Sequence, residues 1–459
     1  MSSAREARRW WVLTAMSGAL AMTFIDETGV GVSLATIRRE LHASLTGVHW
    51  VMNAYMLSLA AFVGASGRLA DVFGRRRVFA IGLVVFAAGS LLSATSPGLP
   101  TLVAWRAVQG LGAALLIPTA LTIVAETFPP AERGRAVGTY IGAASVFYVV
   151  GPLVTGALTQ EVSWRAVFWV NVPLACAVGV VSALAIAPDR PARRRERVDL
   201  VGLFTSAAGL GALVVALMAG PALGWDSPAV LVPAVGAVLL LAAFALAERR
   251  RPAPLFDLTL LSRGALACAA GIVFLVYVVY LGLIVFVPLF LQHEAGLRPF
   301  AAGLALTLAL GPIIVVAPVN GRIVDRTGAR RPAVVAALTA LVSFTWLALA
   351  APAHSFALLL PALLLYGVSV PALYNTAVTV AQNLVTDEQR GQMSGILGSA
   401  AQAGAAIGVA VIGAVVVAVS GSADYTTRGF QAGFGICAAL SLALVQLAAA
   451  LPRHPRAGA

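Results

Sequence analysis

Apolar residues run in stretches of about twenty, separated by short polar gaps, from residue 11 almost to the end of the chain. A helix rises about 1.5 Å per residue, so such a stretch crosses a hydrocarbon core of roughly 30 Å. The stretches long enough are 11–35, 47–67, 78–96, 99–124, 136–158, 166–187, 200–220, 228–247, 265–291, 299–320, 332–351, 355–382, 392–419 and 430–451. The pattern predicts fourteen transmembrane helices and an all-α polytopic membrane protein. The first stretch breaks its own pattern: "MTFIDETGVGVS" (22–33) sets Asp26 and Glu27 side by side in a run otherwise fit for lipid. Each carboxylate at the centre of a spanning helix costs about 2.5–3.5 kcal/mol, so retaining both implies a role outside folding.

Composition agrees with the spans: 60% of the 459 residues are hydrophobic and 11% charged, with a mean hydropathy of +0.91. These values exclude a soluble domain. All 31 basic residues are Arg. Without Lys there is no Walker-type phosphate site and no Schiff-base chemistry, so neither a cofactor nor ATP-driven transport is expected. Cys176, Cys268 and Cys437 stand singly in apolar segments, and His42, His49, His293, His354 and His454 fall at segment edges or in the tail. No spacing suggests a metal site, and no histidine is placed deep in a span for a membrane-embedded enzyme.

A net charge of +12 raises a nucleic-acid partner, and the placement of the arginines decides against it. With a cytoplasmic N-terminus, 25 arginines lie in or beside inner loops and tails, five (Arg38, Arg39, Arg165, Arg298, Arg428) lie outside, and Arg106 lies within a span. That bias predicts an inner or plasma membrane protein with both termini cytoplasmic. The runs "ARRRER" (192–197) and "ERRR" (248–251) then face anionic lipid. Residues 1–9 resemble a signal-peptide n-region, but the long acidic span that follows lacks a cleavage site, so an uncleaved first helix is expected.

The chain also repeats itself. "GRLADVFGRRR" (67–77) recurs as "GRIVDRTGARR" (321–331) at a constant offset of 254 residues. Those loops are equivalent only if each half has six helices and spans 7 and 8 are inserted between them. The predicted segments are a cytoplasmic N-terminus (1–9), a six-helix bundle (10–187), a linker with two extra helices (188–263), a second six-helix bundle (264–451) and a tail (452–459). Gly67, Arg68, Asp71, Gly74 and Arg75, with Gly321, Asp325 and Gly328 in the second copy, form a candidate latch, and Glu126 is a candidate partner for Arg68 or Arg75.

Counted along each helix, Asp26, Arg106 and Gly151 reach one level in the outer half of the membrane. A buried Arg at the depth of a buried acid is its expected partner. Burial and the cation act on the acid's charge in opposite senses, which permits proton loading on one side and release on the other. Adjacent helical residues point about 100° apart, so Asp26 and Glu27 face different surroundings. The small, partly polar stripe around Asp26 suits a cavity or a close partner helix, whereas Glu27 shares a more apolar stripe. Asp26 is the expected proton carrier, with Glu27 a second site or cation selector. Gly151, Pro152 and Gly156 mark a candidate hinge in span 5. Asn53, Tyr55, Gln109, Tyr148, Tyr277, Tyr280 and Asn375 are candidate cavity residues.

Taken in order, "GRLADVFGRRR", "RAVQGLGAALLIPTA" (106–120), "GPLVTG" (151–156) and "SWRAVFWVNVP" (163–173) resemble the major facilitator superfamily, in its fourteen-helix drug/proton antiporter branch. Asp26 and Thr28 match the first-helix pattern of that branch. Gly31 and Ala35 replace its usual Asn and Pro, and 392–419 lacks the carboxylate some relatives carry, so the resemblance does not extend to dicationic cargo. It implies two bundles rocking around a central cavity, driven by proton influx, that export small amphiphilic or hydrophobic compounds. The implied partners are lipid, a small-molecule substrate and protons; a periplasmic adaptor has no signature in the chain. The alternatives are export of one endogenous metabolite or lipid, symport, or a non-transporting sensor or scaffold on the same fold.

Overall fold

In hydrocarbon every backbone amide needs an internal partner, and the described residues meet this with helices. The computed structural model describes residues 2–187, 189, 200–250, 257–386, 389–421 and 424–452. The "ARRRER" run and the tail from 453 therefore lie outside the described residues, as do the side chains of Arg68 and Asp71. The first half comprises α1 (Ser2–Glu40), α2 (Leu45–Phe73), α3 (Arg75–Ala94), α4 (Leu99–Thr127), α5 (Pro130–Glu161), α6 (Ala166–Trp169) and α7 (Asn171–Ala185). α8 (Leu200–Leu223) and α9 (Pro228–Arg250) follow. The second half comprises α10 (Gly264–His293), α11 (Pro299–Leu310), α12 (Ile313–Thr327), α13 (Arg330–Ala350), α14 (Phe356–Asn383), α15 (Arg390–Ser420) and α16 (Thr427–Ala450). Fourteen spans among the described residues are long and apolar enough to cross a membrane.

Two of the expected spans are each built from two helices, and proline explains both breaks. Pro173 cannot donate to the Trp169 carbonyl where α6 gives way to α7, and Gly311-Pro312 separates α11 from α12. Sequence pattern alone reads through such points, because prolines inside membrane helices are common: Pro118, Pro152 and Pro288 interrupt nothing.

α1 and α10 are the most enclosed spans, while α9 has only 11% of its apolar window buried and forms the periphery. The end of the bundle carrying the repeated Gly-Arg loops is the arginine-rich end, and the glycines report how the two halves meet along their length. At the arginine-poor end a Cβ on Gly156 would lie 2.6 Å from the Pro299 carbonyl oxygen, one on Gly303 2.2 Å from that of Pro152, and one on Gly31 2.8 Å from that of Ile284. The halves are in backbone contact there. Toward the arginine-rich end, Gly67 on α2, Gly138 and Gly142 on α5, Gly321 on α12 and Gly398 on α15 have no atom within 4 Å of the same position. These four helices form the seam between the halves, so the molecule is closed at one end and parted at the other. α8 bridges one side of that seam. It touches α2 through Asn53 Nδ2 and Met218 Sδ at 2.8 Å, and shares with α2, α9 and α15 a cavity of about 230 Å³ lined by Gly64, Leu210, Phe244 and Ile396.

Candidate functional site

Asp26 and Arg106 are both fully buried and face each other across α1 and α4. Arg106 Nη1 donates to Asp26 Oδ2 at 2.6 Å, and Gln109 Nε2 donates to Asp26 Oδ1 at 2.8 Å. Gln109 sits one turn beyond Arg106, so one helix face presents both donors, and its Oε1 also accepts from Arg106 Nη1 at 2.7 Å. Arg106 Nε is held by the Val51 carbonyl at 2.9 Å, and the guanidinium lies 4.3 Å over the Tyr55 ring and 5.6 Å from that of Phe168. Behind Gln109, Ser90 Oγ accepts from its amide at 3.3 Å and from Asn171 Nδ2 at 3.0 Å, and donates to the Phe168 carbonyl at 2.9 Å. Both oxygens of Asp26 are thus satisfied within the first half of the molecule. Arg106 is bonded through Nε and Nη1, while its Nη2 is buried without a hydrogen-bond partner among the described residues; a buried charge pair repays its desolvation only when its partners are well bonded in this way.

The glycines of "RAVQGLGAA" create the space for the network. A Cβ on Gly110 would meet the Tyr55 carbonyl oxygen at 2.3 Å, one on Gly112 the Phe86 amide nitrogen at 2.4 Å, and one on Gly89 the Gln109 nitrogen at 2.7 Å. α4 therefore lies directly against α2 and α3, bringing Arg106 and Gln109 to the depth of Asp26.

Glu27, one residue on, turns away from all of this. It is 6% exposed, and has no hydrogen bond or ion pair among the described residues. Gly31, one turn beyond Glu27 on the same face of α1, lies against the Ile284 carbonyl of α10, so Glu27 faces the second half, where α10 and α14 carry Tyr277, Tyr280, Tyr366 and Tyr374. These rings form a continuous cluster: Tyr280 stacks on Tyr366 at 5.8 Å and on Tyr148 of α5 at 5.9 Å, while Tyr277 meets Tyr280 and Tyr374 at 5.8 Å each. Phe24 of α1 packs edge-on against Tyr148 at 4.9 Å. The ring cluster and the unpaired acid therefore lie where the halves meet.

The candidate cavity residues divide accordingly. Tyr148, Tyr277 and Tyr280 gather in this cluster, and half-buried Asn375 follows Tyr374 on α14. Tyr55 and Gln109 belong instead to the network around Arg106, and Asn53 turns to α8. Tyr366, Ser90 and Asn171 were not singled out from the sequence, although Ser90 and Asn171 are isolated polar residues in apolar spans.

The candidate hinge residues pack at the closed end. A Cβ on Gly151 would lie 2.7 Å from Thr28 Oγ1 and 3.2 Å from the Ile25 Cα, so α5 crosses α1 beside the carboxylates. Among the candidate latch residues, Arg75 pairs with Glu126. Gly74 and its counterpart Gly328 take φ values of +92° and +79°, which is why each copy keeps a glycine there. Gly67 and Gly321 face open space, and Asp325 is exposed. A further acid completes the first loop: Asp189 accepts from the Arg76 and Arg77 amides at 2.9 and 3.2 Å, capping the start of α3.

The profile of the Major Facilitator Superfamily matches residues 16–199 and 266–459. The chain is 34% identical over 407 residues to the multidrug resistance protein Stp of Mycobacterium tuberculosis (strain CDC 1551 / Oshkosh), covering 88% of this chain and 75% of the relative. It is 32% identical over 459 residues to the puromycin resistance protein pur8 of Streptomyces alboniger, covering 97% and 91%. A crystal structure of a peptide transporter POT in complex with sulfate superposes with a TM-score of 0.70 at 18% identity, covering 95% of this chain and 93% of that one, which shows a shared fold. The fourteen spans, the two related halves and the sequence match lead to one assignment: the chain belongs to the Major Facilitator Superfamily.

Proposed function

We propose that the protein exports small amphiphilic or hydrophobic compounds across the plasma membrane in exchange for protons, with Glu27 as the group that takes up and releases the proton. The names of the relatives, resistance to multiple drugs and to puromycin, support efflux. The observation that carries the coupling site is the contrast between neighbours: Asp26 has every oxygen bonded inside one half, whereas Glu27 is enclosed and unpaired at the boundary of both. A carboxylate pinned by a guanidinium and an amide has both oxygens already committed within its own half. An unpaired carboxylate in the same low-dielectric region binds a proton or a cationic or polar cargo, but not both at once.

In this reading the arginine-rich end is cytoplasmic, both termini lie inside, and the structure is the state open to the cytoplasm. Cargo reaches the tyrosine cluster from that side, where stacking on Tyr148 and Tyr280 supplies affinity without demanding one shape. Glu27 gives up its proton there. Rocking of the halves then closes the arginine-rich end and opens the other, where a proton returns and displaces the cargo. The Asp26–Arg106–Gln109 network keeps α1 fixed to α4 so that Glu27 moves with its half. The proton gradient supplies the energy, with neither ATP nor a cofactor.

The test is accumulation of puromycin in everted vesicles, energised by an imposed pH gradient. Uptake that collapses with a protonophore supports exchange; uptake of equal rate with no pH gradient and no voltage refutes it.

A further inference from the structure

The arginine-poor end holds a group of charged and hydrogen-bonding residues that neither the carboxylate pair nor the tyrosine cluster uses. Arg38 ends α1 in the first half, and its Nη1 donates to Asp424 Oδ1 at 2.7 Å, in the connection between α15 and α16 of the second half. The same guanidinium lies 5.2 Å over the ring of Tyr425. The Tyr425 hydroxyl reaches back across the seam to Nε2 of His49 on α2, at 3.0 Å. His49 is 1% exposed, its ring edge-on to Phe286 of α10 at 5.0 Å, and its Nδ1 would lie 2.8 Å from a Cβ on Gly413 of α15. A buried imidazole on one half is thus enclosed by the other. His293, at the end of α10, places Nε2 3.0 Å from Asp424 Oδ1, and so braces the acid from its own half.

We propose that Arg38, His49, Asp424 and Tyr425 form a lock between the two halves that holds the arginine-poor end shut, and that its release is an obligatory step in opening that end. The four residues are spread over α1, α2 and one short connection, so the contacts cannot survive a rotation that separates the halves. Two contacts of different kinds act together, an ion pair open to water and a buried hydroxyl–imidazole bond. The second sits where water is excluded and therefore responds to separation more steeply than the first. Asp424 is suited to the task. Partial burial pushes its carboxyl up, but hydrogen bonds from His293, Arg38 and the Tyr425 amide outweigh this and hold it below the usual carboxylate range. It stays charged across physiological pH.

The test is the distance between spin labels at exposed Thr101 and Ala357, one on each half at this end, by double electron–electron resonance in lipid nanodiscs. The reading depends on neither cargo nor proton coupling, so it stands or fails separately from the transport assignment. Arg38→Ala and Asp424→Ala each raise the long-distance, open population by about two- to fivefold, and the swapped pair Arg38→Asp with Asp424→Arg restores the short distance. Tyr425→Phe, which keeps the ring and removes only the hydroxyl, opens the same end and guards against a loss that reflects misfolding. An unchanged distribution in all three single variants overturns the lock, as does opening in the charge variants that the swap fails to reverse.

Discussion

Replacing Arg106 with Met removes the one cation bonded to Asp26 while keeping much of the volume. The structure sets the size of the effect. Both side chains are fully buried, the pair is 2.6 Å apart, and Arg106 also bonds the Val51 carbonyl and the Gln109 amide. Removing one partner of such a pair costs about 3–5 kcal/mol, because the other charge is left buried without compensation. Removing both charges, in Asp26→Asn with Arg106→Met, recovers most of that, since the remaining amide can still bond Gln109. Glu27→Gln sits at the other extreme: no ion pair is lost, and an unpaired buried acid becomes neutral, so stability is unchanged or rises. Unfolding in mixed micelles by graded SDS measures all three against the wild type. The reasoning is refuted if Arg106→Met costs less than about 1 kcal/mol, or if the double variant is as unstable as the single one.

Three further outcomes follow from the seam and the loops. Gly303→Val drives a branched side chain toward the Pro152 carbonyl, 2.2 Å from the first atom it would add, so it prevents closure of the arginine-poor end and abolishes transport, read as a lengthened label distance there. Asp189→Ala uncaps α3, destabilising it by about 1 kcal/mol and speeding hydrogen exchange at the Arg76 and Arg77 amides, with unchanged exchange as the contrary result. A carboxyl held below its usual pKa keeps its stabilising charge as pH falls until the lowered value is reached, so the Arg38–Asp424 contact, faced also by His293 and the Tyr425 ring, is not weakened between pH 8 and pH 5. Label distances at Thr101 and Ala357 that lengthen over that range contradict it.

The spans were legible because the bilayer imposes one length and one polarity on every crossing. The breaks in α6–α7 and α11–α12 were not, since Pro173 and Pro312 look no different in sequence from Pro118 or Pro152, and only packing decides whether a helix restarts after its missing donor. The depth of Arg106 identified its partner for a simple reason: rise per residue converts position into height. Facing was harder. The small, polar stripe around Asp26 fits a cavity and a closely packed helix equally well, and the structure has the second, with Gly29 against Thr155 and Ser33 hydrogen-bonded to Thr159, both of α5. The apolar stripe of Glu27 is the one turned to the other half. Asp189 and His49 act through residues remote in sequence, the Arg76 and Arg77 amides in one case and Tyr425 in the other, and no local pattern announces either.

The central claim is that two adjacent carboxylates have separate tasks, one bonded within its own half and the other exchanging a proton. Substrate-evoked proton movement in proteoliposomes, followed with a lumenal pH dye on adding puromycin, compares Glu27→Gln with Asp26→Asn in protein of equal folded yield. The account predicts that Glu27→Gln abolishes proton movement, and that Asp26→Asn slows the cycle but leaves the protons moved per puromycin unchanged. Proton movement that survives in Glu27→Gln and vanishes in Asp26→Asn would contradict it.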